Sequence, residues 1–351
     1  MGDPILVLAW LVLAHVAADF VLQTGRVARL KSSRGANAVV GLLAHGVIVA
    51  GCVAPVGFAY GERGWWFVAV TGLSHVAIDR TKVILTRRAA AAALREAHAQ
   101  HQGPQPPDHL GRAWTPWPAA LFLADQAAHL AIVGGGWAVL LATTPLLGGW
   151  TVAVESWIVG WDRTAVHAIV SVAVVLLALT IVNVRAASLL VAILVRPVDV
   201  GGDGDQRWGG RAAPAVAATA PAAVAASAPG NLTRTWSIRL GPLAGRITAE
   251  PDFSPPLTMA ETAGSGTPPL GTRARVGATI GVLERILIVV FVLTGSEAAI
   301  GFVVAAKTLA RFRLLDDRDF AEYYLLGTLA SVSVAIISAL IGRAALGALL
   351  G

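Results

Sequence analysis

Long apolar runs separated by short polar or basic stretches dominate the chain. A run of about 20 residues is long enough to cross a hydrocarbon core of roughly 30 Å as a helix that rises 1.5 Å per residue. Because backbone groups in lipid must be satisfied within the segment, we predict helices. The pattern indicates about eight spans, at 4–23, 36–58, 65–85, 117–140, 164–195, 276–294, 297–310 and 320–350. The seventh is short enough for a re-entrant half-helix.

Histidine and aspartate residues interrupt the first four spans in a regular way. Spans one, three and four each carry one histidine and one aspartate four residues apart, which places both on one helix face. An unpaired aspartate near mid-bilayer costs roughly 2.5 to 3.5 kcal/mol, so three of them need positive partners. With one further histidine in span two, the set is His15, Asp19, His45, His75, Asp79, Asp125 and His129.

Basic residues in the loops predict the orientation of the spans. Four basic residues lie at 26–34 after span one and five at 80–95 around the end of span three, whereas the loop at 60–64 carries one acid and one base. Positively charged loops stay on the cytoplasmic side. All seven polar residues then reach a similar depth in the inner leaflet, which predicts one shared cluster.

A short internal repeat supports this arrangement. Leu-Ala-His-Val-Ala-Ala-Asp at 13–19 matches Leu-Ser-His-Val-Ala-Ile-Asp at 73–79, and Leu-Ala-His at 43–45 aligns with Leu-Ala-Asp at 123–125. Two parallel helix hairpins related by a pseudo-two-fold axis along the membrane normal would bring these residues together. We therefore predict an all-α, polytopic membrane helix bundle with a parallel repeat of two helix hairpins in its N-terminal half.

Composition agrees with a membrane protein. The 351 residues are 56% hydrophobic and 14% charged, and the mean hydropathy is +0.67, which is too apolar for an ordinary soluble domain. The net charge of +6 comes from short loops beside spans, so we predict no nucleic-acid partner. The predicted organisation is a membrane bundle at 1–196, a disordered linker rich in Ala, Pro and Gly at 197–272, and a three-helix membrane module at 273–351.

The residue types in the cluster predict a divalent metal. Imidazole and carboxylate ligands suit Zn best, with Mn or Fe as alternatives, and bridging aspartates allow one or two ions. Cys52 is the only cysteine, which excludes a thiolate cluster within one chain. All seven cluster residues are candidate ligands. The alternative is a network of packing hydrogen bonds or a proton relay without metal.

Catalytic roles follow if a metal binds. An aspartate that does not bind the metal would act as general base, and the pattern leaves open which of Asp19, Asp79 and Asp125 does so. Lys82 lies on the same helix stripe as Asp79, three residues beyond it. It would either clamp an anionic headgroup or polarise a carbonyl or phosphoryl oxygen, or it is a lysine that extends to the membrane surface.

The motifs resemble the bacterial membrane-protein family known as domain of unknown function 3307. The similarity rests on His15-xxx-Asp19-Phe20-xx-Gln23, His45, His75-xx-Ile78-Asp79-xx-Lys82 and Asp125-Gln126-xx-His129. A second block is similar to the C-terminal part of longer members: Leu283-Glu284-Arg285, Ala306-Lys307, Arg311-Phe312, Glu322-Tyr323-Tyr324 and Gly327-Thr328. The arrangement more loosely resembles inner-membrane metal-dependent hydrolases. The resemblance implies the bacterial cytoplasmic membrane and names no substrate.

We therefore favour a membrane-embedded metal-dependent hydrolase that acts on an ester or phosphoester of a lipid-like substrate at the cytoplasmic leaflet. The first alternative is a divalent metal-ion transporter, because paired histidines and aspartates on neighbouring helices also suit ion transport. The second is a non-enzymatic structural or regulatory membrane protein. The expected partners are the lipid bilayer and a lipid-like substrate, and the oligomeric state stays open.

Overall fold

The computed structural model describes residues 3–100, 112–113, 115–195, 198–199, 234–240, 243–249 and 270–351. Helices dominate this part of the chain, and the predicted all-α membrane bundle is confirmed. The helices are α1 (Pro4–Ala17), α2 (Gly25–Lys31), α3 (Ala36–Tyr60), α4 (Glu62–Gln100), α5 (Trp117–Gly136), α6 (Gly148–Trp157), α7 (Arg163–Ile181), α8 (Ala187–Val195), α9 (Leu270–Leu293), α10 (Ala298–Ala310) and α11 (Arg318–Leu350). A 3-10 turn, Phe312–Leu314, follows α10.

Three π-helical turns extend or connect these helices. They are Ala18–Leu22 after α1, Trp137–Leu141 after α5, and Val182–Ala186 between α7 and α8. Such turns hold one extra residue per turn and recur at functional sites in helices. The first of them contains Asp19, so the end of span one departs from the regular helix that the sequence predicts.

Five helical segments in the described residues are long and apolar enough to cross a membrane, and the multi-pass fold is thus confirmed. They correspond to predicted spans one, two, four, five and eight: Pro4–Leu22, Ala36–Tyr60, Trp117–Leu141, Arg163–Val195 and Phe320–Leu350. The other three predicted spans lie on α4, α9 and α10, of which α10 has only 13 residues. The total of eight spans stays a prediction.

The surface of the bundle has the polarity expected in lipid. Val47, Leu73 and Val139 are 72%, 74% and 77% exposed, whereas His45 and Asp79 are 0% and 1% exposed. In water this distribution would be unfavourable for two reasons, because the exposed apolar side chains would be hydrated and the buried polar side chains would lose their hydration. The helices therefore present apolar side chains to the bilayer and turn their polar residues inward.

Helices α3 and α4 form a tight hairpin. Gly61 separates them with φ of +66°, a left-handed conformation that glycine adopts without a Cβ clash. On α3, Gly57 lies so close to the ring of Trp65 that a Cβ there would meet its atoms at 2.5–2.7 Å. The close contact holds His45 of α3 beside His75 of α4.

An apolar core joins the helices of the N-terminal bundle. Leu11 of α1, Val53 of α3, Phe67 of α4 and Val133 of α5 are each at most 2% exposed and pack in one cluster. Burial on this scale contributes roughly 1.5 to 3 kcal/mol per large side chain in water. In lipid the same contacts act through close packing, and they fix the four helices that carry the candidate site.

The C-terminal helices pack against the first bundle. Ile288 of α9 and Ala339 of α11 belong to a buried cluster with Leu179 of α7, and Leu6 and Ala9 of α1 contact the same cluster. Helices α9 to α11 and the first bundle therefore form one compact unit.

A buried arginine anchors this packing. Arg285 of α9 is 3% exposed and donates from Nε to the carbonyl oxygen of Asn183 (2.6 Å), from Nη1 to Ser331 Oγ (3.0 Å) and from Nη2 to Ser188 Oγ (2.5 Å). Asn183 lies in the π-helical turn Val182–Ala186. A regular helix would occupy that carbonyl with its own amide, so the turn supplies the acceptor.

Two short antiparallel strand pairs complete the described chain. Strand β1 (Arg112–Ala113) pairs with β2 (Val198–Asp199). Strand β3 (Arg234–Leu240) pairs with β4 (Leu243–Ala249), with Trp236 opposite Ile247, inside a separate compact unit of residues 214–275. The predicted disordered linker at 197–272 lies mostly outside the described residues, and that prediction remains open.

Candidate metal centre

Four helices of the N-terminal bundle bring the predicted polar residues together. Helix α1 and its π-helical turn carry two of them, α3 one, and α4 and α5 two each. All lie in the interior, and the exposed fraction is at most 8% for each side chain. The structure thus places the whole predicted set in one cluster: His15, Asp19, His45, His75, Asp79, Asp125 and His129.

Three ligand atoms converge at the centre of the cluster. His75 Nε2 lies 2.9 Å from His45 Nε2, and Asp19 Oδ1 lies 3.1 Å from His45 Nε2 and 3.2 Å from His75 Nε2. Asp79 Oδ2 is 3.7 Å from both nitrogens. Ligands about 2.0–2.1 Å from one tetrahedral Zn ion are themselves separated by roughly 3.3 Å. The spacing of these atoms therefore fits a single small cation.

A second set of ligands adjoins the first. One carboxylate oxygen or imidazole nitrogen from each of Asp79, Asp125 and His129 lies within 4.8 Å of the others, and the same holds for His15, Asp19 and His75. Within the described chain, Asp125 Oδ1 and both ring nitrogens of His129 have no hydrogen-bond partner. Such buried atoms cost about 1–3 kcal/mol each when they stay unpaired. These orphaned atoms fit a bound cation.

The imidazole rings also stack on one another. The rings of His75 and His129 are stacked with centroids 3.9 Å apart, and the centroids of His15 and His129 are 5.2 Å apart. Neutral imidazoles tolerate this proximity, whereas several imidazolium cations would repel one another at these distances. The stacking therefore favours neutral histidines, which is the form that binds metals.

Gln126 of α5 links that helix to α1 and its π-helical turn at the cluster. Its Nε2 donates to Asp19 Oδ2 (3.2 Å) and to Asp125 Oδ2 (3.1 Å), and its Oε1 lies 3.3 Å from His15 Nε2. With the amide nitrogen directed at two carboxylates, the amide oxygen accepts the proton of His15 Nε2. Gln126 thereby orients residues from α1 and α5, as residues around metal ligands commonly do.

Two lysines supply the positive charge that the aspartates require. Lys82 Nζ lies 2.7 Å from Asp125 Oδ2 and also 5.0 Å from the ring centroid of Phe122. Lys31 Nζ lies 2.5 Å from Asp79 Oδ2. The contact of Lys82 agrees with its place among the candidate site residues. Lys31 is a site residue that the sequence did not predict. In the sequence it is one of several basic residues that set membrane orientation.

The short helix α2 explains why Lys31 turns inward. Lys31 is the last residue of α2, whose end packs so closely on Gly41 of α3 that a Cβ at Gly41 would clash with the backbone of Leu30 and Lys31. Beyond α2, Arg87 of α4 donates to the carbonyl oxygens of Ser32 and Ser33. Helix α2 is thus held between α3 and α4 with Lys31 directed at the cluster.

A small cavity borders the histidines at the end farther from the lysines. It has a volume of about 10 Å³ and is lined by His15, Thr71, His75 and His129 together with apolar residues of α3 and α5. This volume is at the lower limit for one water molecule. It leaves no room for an organic ligand, whereas on the lysine side of the cluster Lys82 is 25% exposed.

His167 lies outside the cluster. His167 of α7 is 3.2 Å from Asp3, the residue that caps α1. Its sequence position near the end of span five predicts an isolated residue at the membrane interface, and the structure places it apart from the other described histidines. His167 therefore offers a matched control for tests of the cluster.

Comparison with known proteins gives a family and no activity. Residues 7–159 match the family described as "Protein of unknown function (DUF3307)", and this range contains every residue of the cluster as well as Lys31 and Lys82. The resemblance predicted from the sequence motifs is confirmed for this part of the chain. No curated protein matches the chain, and no solved structure does.

Proposed function

We propose that the protein is a membrane-embedded metal-dependent hydrolase, on the basis of the cluster that lies within the residues matched by the DUF3307 family model, 7–159, whose description assigns no activity. Its substrate is an ester or phosphoester of a lipid-like molecule, reached from the cytoplasmic leaflet of the bacterial inner membrane. The observation that carries the proposal is the convergence of His45 Nε2, His75 Nε2 and Asp19 Oδ1 within 2.9–3.2 Å of one another.

The ligand set suits a divalent cation, with Zn first and Mn or Fe as alternatives. His45, His75 and Asp19 would hold it, with Asp79 completing four donors. His15, Asp125 and His129 lie beside these residues and would hold a second ion or orient the first. Once bound, such a cation supplies Lewis acidity and activates water at neutral pH.

The remaining residues fit the roles that hydrolysis requires. Asp125 Oδ2 accepts from Lys82 and Gln126, while Asp125 Oδ1 has no partner in the described chain and would accept a proton from water. The water oxygen bonds to the carbonyl carbon or phosphorus, and the bond to the alkoxy oxygen breaks. Asp125 would then donate this proton to the leaving alkoxy oxygen, so that it acts first as general base and then as general acid.

The first experiment measures metal content by elemental mass spectrometry on detergent-purified wild type, His75→Ala, Asp125→Ala and His167→Ala. We expect near-stoichiometric metal in wild type and His167→Ala, and loss of metal in His75→Ala. Circular dichroism and gel filtration check that each variant is folded. Wild-type protein that binds no metal after incubation with Zn or Mn would refute the proposal.

A second experiment separates hydrolysis from transport. Metal-loaded protein is assayed for release of product from lipid esters and phosphoesters, and in parallel for uptake of Zn into proteoliposomes. The proposal predicts hydrolysis in wild type, a loss of at least about 100-fold in Asp125→Asn, and no uptake. Uptake that depends on His75 without any hydrolysis would favour the metal-ion transporter instead.

A further inference from the structure

The charges of the site point to an anionic substrate. Asp19, Asp79 and Asp125 carry three negative charges, and Lys31 and Lys82 carry two positive ones. With neutral histidines the cluster has a net charge of −1. One divalent cation would bring it to +1, and two would bring it to +3. A net positive charge at this depth is costly in an apolar environment unless an anion balances it.

The two lysines are placed to bind that anion. Each ammonium group has three N–H donors, and Lys31 and Lys82 each use one donor in the ion pairs with Asp79 and Asp125. Their side chains are 11% and 25% exposed, more than those of the aspartates they contact. The lysines therefore lie between the aspartates and the surrounding medium, and they keep donors for a group that arrives from outside.

A further cation lies next to Lys31, because Arg87 donates to the carbonyl oxygens of Ser32 and Ser33. Burial lowers the pKa of Arg87, and the nearby positive charges of Arg34 and Arg80 lower it further. Cations gathered at the mouth of a site attract anions and raise their local concentration.

From these observations we propose that the site takes a phosphoester, and that Lys31 and Lys82 bind the oxygens of its phosphoryl group. The inference rests on the proposed hydrolase function and chooses between its two substrate classes. A phosphoryl group carries one or two negative charges and accepts hydrogen bonds from several directions, which suits two ammonium groups on different helices. A neutral carboxylic ester would leave the added positive charge of the metal uncompensated.

The test measures binding of inorganic phosphate to the full-length protein in phosphatidylcholine nanodiscs by isothermal titration calorimetry. We expect Lys31→Gln and Lys82→Gln each to weaken phosphate binding at least about tenfold. Glutamine keeps a donor toward the aspartate, which protects the fold. Arg29→Gln and Arg95→Gln remove the same charge from exposed positions on the same two helices, and we expect changes of less than about twofold.

Two outcomes of this titration would overturn the inference. One is unchanged phosphate affinity in both lysine variants. The other is equal weakening in the arginine controls, which would show general charge attraction. Metal content is measured on the same samples, and the titration is repeated without metal. Wild type that binds phosphate through Lys31 and Lys82 but holds no metal would refute the hydrolase proposal while supporting the lysine assignment, so the two failures are distinguishable.

Adding phosphatidic acid to the nanodiscs identifies the source of the phosphoryl group. Displacement of inorganic phosphate by this lipid would assign the site to a lipid headgroup, and unchanged phosphate binding would assign it to a soluble phosphoester. Hydrolysis of diacylglycerol by wild type and by both lysine variants at equal rates, with phosphatidic acid left intact, would overturn the inference.

Discussion

His45 and His75 belong to different helices of one hairpin, and their Nε2 atoms lie only 2.9 Å apart. Two such nitrogens can share one proton or one cation, because two protonated rings would repel each other at this distance. Asp19 Oδ1 is almost equidistant from both, so three helical segments meet at one point. The occupant of that point determines the charge of the whole cluster.

His45→Ala tests whether this occupant is a metal. We expect zinc affinity to fall by more than about 100-fold, because the variant removes a nitrogen at the point of convergence. Affinity is measured by competition with a chromogenic chelator. His167→Ala removes a histidine outside the cluster that pairs with Asp3, and it should bind zinc like wild type. Equal affinity in wild type and His45→Ala would show that the metal lies elsewhere.

Gln126→Ala tests the role of the amide that orients the ligands. We expect zinc affinity to decrease by about 10–100-fold, since Gln126 contacts Asp19, Asp125 and His15 without offering a charge of its own. Gln126→Glu should bind zinc more tightly than Gln126→Ala, because a carboxylate adds negative charge near the cation. The same chelator competition checks both variants.

Lys31→Met tests the pairing with Asp79 in metal-free protein. The variant leaves a buried carboxylate without its cation, and we expect a loss of about 3–5 kcal/mol in the free energy of unfolding. Unfolding is followed by circular dichroism in detergent. Zinc should restore part of the stability, since a ligand that binds only the folded state stabilises it.

Two controls belong with Lys31→Met. Arg29→Met removes an exposed charge from the same helix and should change stability by less than about 0.5 kcal/mol. The double variant Lys31→Met, Asp79→Leu replaces the ion pair by apolar groups and should be more stable than Lys31→Met alone. If the double variant is no better, Lys31 acts through contacts other than its ion pair.

The sequence predicts the seven cluster residues because four-residue spacing and depth are local properties of helices. It does not predict Lys31, whose position depends on α2 packing against Gly41 and on Arg87 holding the following carbonyl groups. These contacts join segments distant in sequence. The π-helical turn at Ala18–Leu22 escapes prediction for a related reason, since hydrophobic periodicity does not resolve one extra residue in a turn.

Gly41→Ala tests the seating of α2. A methyl group there would overlap the backbone at Leu30 and Lys31, and we expect a loss of about 1–3 kcal/mol in stability. Gly51→Ala is the matched control, since it lies on the same helix and a Cβ there meets nothing within 4 Å. It should be neutral or stabilising by up to about 1 kcal/mol. Equal effects of the two substitutions would argue against a close helix contact at Gly41.

Arg285→Lys tests the anchor between the C-terminal helices and the π-helical turn Val182–Ala186. Lysine keeps the charge but cannot reproduce the three directed hydrogen bonds, and we expect a loss of about 1–3 kcal/mol. The control is Arg343→Lys, whose ion pair with Glu297 is about half exposed, so we expect a clearly smaller loss of stability than for Arg285→Lys. Thermal unfolding of both variants in detergent provides the comparison.

Helix α4 continues for 39 residues from Glu62 to Gln100, a length of about 58 Å, nearly twice the thickness of a hydrocarbon core. His75, Asp79 and Lys82 are therefore carried by the same rigid rod that continues well past the cluster. A force applied near its far end would tilt or rotate three site residues at once. Movement of this helix would therefore change the distances from His75, Asp79 and Lys82 to the site residues on α1, α3 and α5.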